Sequence, residues 1–180
     1  MTLVFMSLLR IKQELKKFDK DKLIELISDL YKSNNSVKEY LDFFINPNEA
    51  ELFKKYKAKI DEAFFPKRGH NLKLKDGKQA IADFKKLGPA AELLADLMLF
   101  YVECGVKYTN DFGDINEAFY SSLEKTYSQA LKFMQKEGIL SQFKNRALKI
   151  VDSTKDIGWG FHYYLIEAYC DHYTDETGEE

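Results

Sequence analysis

His162 has the clearest chemical capacity in this chain, because an imidazole titrates near neutrality and can accept or donate a proton. It closes the segment Asp156-Ile-Gly-Trp-Gly-Phe-His162, which sets the sole tryptophan between two glycines. Glycines beside an aromatic let backbone approach a ligand closely. Trp159, His162 and Tyr101 are therefore the candidate ligand pocket. Acid–base catalysis there would require a carboxylate, and Glu103, Asp111 and Asp114 are the candidates. The competing structural reading is a tight interhelical turn. In it Trp159 plugs the core, His162 satisfies a carbonyl, Asp111 and Asp114 are turn and cap residues, and Glu103 pairs with Lys107 one helical turn away.

Two further features have chemical potential. Lys67, Arg68, His70, Lys73, Lys75 and Lys78 make a basic loop beside Phe64, Phe65 and Leu72, the composition of a phosphate or nucleic-acid contact. The overall balance is acidic, at −2, and lysine-rich loops are common solvated surface, so this reading ranks second. His162, Cys170 and His172 do not form a metal set. On one helix the first two lie about 80° and roughly 12 Å apart, and the last two point about 200° apart. No metal and no cofactor is expected. Asp111-Phe-Gly matches a kinase tripeptide without its glycine-rich loop or strands, and the segment also fails calcium-loop spacing.

The elements that must position these residues are helices. Leu23, Ile24, Ile27, Leu30 and Tyr31 recur with the spacing of one buried helical face, and Asp19 stands before them as an N-cap. Ser36-Val-Lys-Glu39 has the form of a capping box, and Asn46-Pro-Asn-Glu49 repeats it with Pro47 at the first helical position. Phe53, Tyr56, Ile60 and Phe64 carry the next stripe, which Pro66 ends. Residues 66–75 are the longest irregular stretch, and a shorter helix is marked by Ala80, Ile81, Phe84 and Leu87. The segment from about 90 to 107 is apolar on nearly every side, as a central buried helix must be. Asp114 with Glu117 is expected to cap the helix after it. Three more stripes follow, broken at Gly138 and at the Gly-Trp-Gly turn.

The expected fold is therefore all-α, an irregular multi-helix bundle or short helical array of about eight to nine helices around that central segment. No fixed period supports a regular solenoid. With 9 Gly and 3 Pro in 180 residues there is little material for a β-architecture. Residues 1–173 read as a single domain, and the acidic tail 174–180, lacking apolar anchors, as disordered. The 14 Phe and 11 Tyr imply an aromatic-rich core. Two cysteines do not make a disulfide framework, and the opening apolar run lacks the features of a signal peptide, so a cytoplasmic protein is expected. Met1 and Met6 both stand as start-codon candidates. Charge is uneven, with a balance of +5 over residues 1–80 and −7 over residues 81–180.

Leu15-Lys-Lys-Phe-Asp19-Lys-Asp-Lys-Leu-Ile-Glu-Leu, Ala63-Phe-Phe-Pro-Lys-Arg-Gly69 and Asp156-Ile-Gly-Trp-Gly-Phe-His162 together resemble an uncharacterised bacterial family. It is catalogued only as a domain of unknown function, and the similarity extends over most of residues 8–170. The resemblance implies a bacterial, cytoplasmic, helical protein and carries no activity or site residues. The leading functional expectation is a non-enzymatic helical interaction module that binds a protein or itself. The alternatives are a nucleic-acid or phosphate binder using the loop 67–78, and an enzyme with an acid–base pocket around His162. No membrane association is expected.

Overall fold

Side-chain oxygens start most of the early helices by accepting from backbone N–H groups that the first turn leaves without partners. The computed structural model describes residues 7–67 and 71–173. They form nine helices and no strand among the described residues, an all-α array as the sequence implies. The helices are α1 (Leu8–Leu15), α2 (Lys20–Ser33), α3 (Asn35–Ile45), α4 (Glu49–Phe64), α5 (Leu74–Lys86), α6 (Ala91–Phe112), α7 (Glu117–Lys136), α8 (Leu140–Asp152) and α9 (Phe161–Tyr173). The chain divides into two compact units, Met1–Pro47 and Asn48–Glu180. Met1, Met6, Arg68, His70 and the tail 174–180 lie outside the described residues.

In the first unit α2 packs against α3. Asp19 caps α2, its carboxylate accepting from the Lys22 N–H at 2.8 Å. The cap of α3 is Asn34, which takes the Ser36 and Val37 N–H groups at 3.0 and 3.2 Å, so the helix begins before the expected box at Ser36. Tyr31 ties the hairpin together by donating to Asp42 at 2.8 Å. The stripe expected as a buried face is not buried. Ile24 is 52% exposed and Ile27 48%, and no residue of α1, α2 or α3 is buried. A unit of three short helices has too few layers to enclose an apolar face of its own.

The second unit is built around α6, which packs against α4, α5, α7 and α8. Leu97, Leu99, Tyr101 and Val102 on it are wholly buried, so the apolar segment is the axis of this unit and extends to Phe112. Asn48, rather than Asn46, caps α4. Its Oδ1 accepts from the Glu51 N–H at 3.1 Å, and its Nδ2 donates to the Glu51 carboxylate at 3.1 Å. The cap thus lies two residues later than the one expected, and the Glu51 carboxylate meets the Asn48 side chain rather than its backbone N–H. Glu49 reaches across to accept from the Ala90 N–H at 2.8 Å just before α6. Helix α5 starts at Leu74, shortening the irregular stretch. Its Gly77 lets the backbone press against the Tyr101 ring and Ala63.

Candidate functional site

The Gly-Trp-Gly turn joins α8 to α9. Trp159 itself holds a left-handed φ of 61°, which costs a bulky L-residue about 1–2 kcal/mol. It does not enter the core. The indole is 59% exposed and lies stacked on Tyr120, with ring centroids 6.5 Å apart. Beyond it on α9, Tyr163 is 77% exposed. Gly158 has its own reason to be glycine, since a Cβ there would lie 2.7 Å from the Asp114 carboxylate.

His162 faces Thr154, with Nδ1 and Oγ1 2.9 Å apart. The Thr154 hydroxyl already donates its only hydrogen to the Val151 carbonyl at 2.6 Å. It must therefore accept from His162, which fixes the proton of a neutral ring on Nδ1 and leaves Nε2 as the acceptor. Thr154 is fully buried, so the pair anchors the turn to the end of α8. The expected carbonyl partner is replaced by this hydroxyl.

The carboxylates proposed for an acid–base pocket have separate partners. Asp114 accepts from the Tyr120 hydroxyl at 2.7 Å, and Tyr120 also meets Thr109 at 3.2 Å. Burial and the bond to Asp114 hold the Tyr120 phenol above its ordinary value, despite opposing help from Thr109. The α7 cap expected of Asp114 falls to Asn116, which accepts from the Phe119 N–H at 3.0 Å. Glu103 is gripped by Arg146 of α8 at 2.7 and 2.9 Å, in place of the expected i, i+4 contact with Lys107. Asp111 is exposed and shares with Glu103, Lys107 and Lys149 a cleft of about 390 Å³ between α6 and α8. Tyr101 is wholly buried and bonded to Ser122 at 2.9 Å, so it does not line a pocket with Trp159. Asp114 is thus the carboxylate that the fold brings to the turn.

Of the basic segment, Lys67, Lys73, Lys75 and Lys78 are described and exposed, the last two on α5. The Lys67 N–H donates to Glu62 at 3.1 Å, and the groove beside it is lined also by Asp61, Asp76 and Asp83. Acids therefore interleave the cations along α4 and α5. Among the described residues no group of three or more His, Cys, Asp or Glu side chains is placed to hold a metal ion. No described helix is long and apolar enough to cross a membrane.

A family model described as a family of unknown function, DUF6155, matches residues 6–173. The chain belongs to that family. The DUF6155 match spans all three segments that carry the resemblance seen in the sequence. No curated protein and no solved structure matches this DUF6155 chain. Sequence reasoning missed Arg146, Asp96 and Thr154. The Arg146 and Thr154 contacts join different elements, and Arg146 lies 43 residues from Glu103, beyond the reach of helical spacing rules.

Proposed function

We propose that this DUF6155 chain is a non-enzymatic helical interaction module, and that its first unit pairs with a second copy of itself. One observation carries the reading: an amphipathic α2–α3 hairpin in which no residue is buried. Ile24, Ile27 and Leu30 on α2, with Phe44 and Ile45 on α3, are all exposed. Isolated apolar residues on a surface need no explanation, whereas a contiguous stripe marks an interaction surface. Two such hairpins related by a two-fold axis give a four-helix bundle, the ordinary way to bury both stripes. Charge does not oppose the pairing, since residues 1–47 carry eight Lys/Arg against seven Asp/Glu.

The enzyme and nucleic-acid readings have less support. His162, Glu103 and Asp114 are each engaged by a different partner, and Lys67 stands among the acids Asp61, Glu62, Asp76 and Asp83. A bacterial cytoplasm belongs to the same proposal, supported by the family resemblance and by two cysteines that form no disulfide. Light scattering behind size exclusion tests the pairing. The wild type should run as a dimer that persists in high salt, because apolar burial is not screened. Ile24→Glu/Ile27→Glu should run as a folded monomer. A wild-type chain that stays monomeric at high concentration would sink the proposal.

A further inference from the structure

A second apolar surface lies wholly within the second unit, and it differs from the first in being concave and rimmed with positive charge. Helices α5 and α7 form its walls and α6 its floor, enclosing a groove of about 440 Å³. That is within the roughly 300–1,000 Å³ range of small-molecule clefts. On α5 the lining residues are Lys78, Ile81, Ala82 and Lys85, spaced i, i+3, i+4, i+7 and so on one face. Leu94 and Met98 make the floor one turn apart on α6, and Phe133 closes the α7 wall. The Thr126 hydroxyl on the α7 wall already donates to the Ser122 carbonyl at 2.9 Å, so it makes no further demand for a donor's partner.

The rim is one-signed. Lys78, Lys85 and Lys132 line the groove and no carboxylate does. None of the three lysines is ion-paired with a described residue. The acids of α5 lie on its other side, where Asp76 and Asp83 line the α4 groove and Asp83 pairs with Lys86 at 2.9 Å. Three ammonium groups around a mainly apolar lining select a ligand with an apolar body and a negative end. Met98 adds a polarizable, adaptable surface suited to a flexible chain.

We infer that the α5–α6–α7 groove binds a medium-chain fatty carboxylate, its chain on Ile81, Leu94, Met98 and Phe133 and its head among Lys78, Lys85 and Lys132. The inference does not depend on the pairing of the first unit. Calorimetric titration of the full chain with decanoate, kept below its micelle concentration, tests it against decanol and decyltrimethylammonium as controls. Decanoate should bind with one site per chain, and the neutral and cationic analogues at least about tenfold more weakly, as expected when a charge contact is lost or reversed. Lys85→Glu/Lys132→Glu should weaken decanoate by a similar factor. Ala82→Trp, which fills the groove from an exposed position, should abolish binding while circular dichroism stays native. No decanoate binding, equal binding of the three amphiphiles, or unchanged affinity in the charge-reversal variant would each overturn the inference. So would co-sedimentation with anionic phospholipid vesicles in the absence of decanoate binding, which would mean a membrane-surface contact instead.

Discussion

Arg146 holds both carboxylate oxygens of Glu103 in a bidentate grip, Nε at 2.7 Å and Nη2 at 2.9 Å. Its remaining nitrogen reaches Asp96 at 3.1 Å, and Nη2 also donates to the Asp96 carbonyl at 3.3 Å. One side chain of α8 thereby fastens two turns of α6. Burial alone would lower the affinity of the guanidinium for its proton, but Glu103 and Asp96 more than offset this and hold it above its ordinary value. A lysine cannot reproduce the fork. Arg146→Lys should destabilise the second unit by about 1–2 kcal/mol, less than a fully buried pair would give because solvent still reaches this one. Urea unfolding of Arg146→Met, Glu103→Met and the double variant should give a double change smaller than the sum of the singles.

Gly105 on α6 faces Leu123 on α7 so closely that a Cβ would lie 2.4 and 2.5 Å from the two Leu123 methyls and 3.0 Å from its Cγ. Leu123 is wholly buried and has no room to withdraw. Replacing glycine by alanine inside a helix ordinarily gains about 0.5–1 kcal/mol. Here overpacking of about 1–3 kcal/mol should outweigh that gain, so Gly105→Ala lowers the thermal midpoint. A midpoint equal to or above wild type would show that α6 and α7 can move apart without cost.

Helix α6 was legible because its apolar residues occupy most of its circumference and leave only the narrow polar stripe Glu92, Asp96, Glu103, Lys107, so most of it has only the interior to occupy. The α2 stripe was equally legible as periodicity, yet periodicity says that a face seeks cover and not where the cover comes from. Cap positions slipped by two residues at Asn34 and Asn48, because each competes with a neighbouring cap former and only the local backbone decides between them. Trp159 was misplaced for a different reason. Its bulk argues for the core, but two flanking glycines permit a left-handed turn that swings it outward. The pairing of His162 with Thr154 depends on how α9 folds back on α8, which no spacing along one helix encodes.

The strain at Trp159 has a measurable signature. Trp159→Gly removes the indole and relieves the left-handed backbone, whereas Trp159→Ala removes the indole and keeps the strain. The glycine variant should therefore be the more stable of the two by about 1 kcal/mol. The wild-type indole, exposed and stacked on Tyr120 alone among described rings, should also be quenched readily by acrylamide. An alanine variant as stable as the glycine one would place the turn in another conformation.

Alkaline pH should weaken the second unit before other stresses do. Burial first, then the charges of Asp61 and Glu103, push the Cys104 thiol from 9.0 up to about 12. Burial likewise raises Tyr173 from 10.0 to about 12, with Tyr169 adding to it, and raises Tyr127 as well. In each case the folded chain keeps its proton more tightly than the unfolded chain. The unfolded chain accordingly loses protons first as pH rises, and the folded state forfeits stability. The contribution is fully present below the unfolded values near 9.0 and 10.0, and is lost as pH climbs toward the folded values. Thermal midpoints should stay level from neutral pH to about 8.5 and then fall steadily. Cys104→Val removes the thiol's share, so its curve should begin to fall later and run parallel to wild type once tyrosine ionisation dominates. Midpoints independent of pH up to about 11 would mean that these side chains are not held in the low-dielectric setting their burial implies.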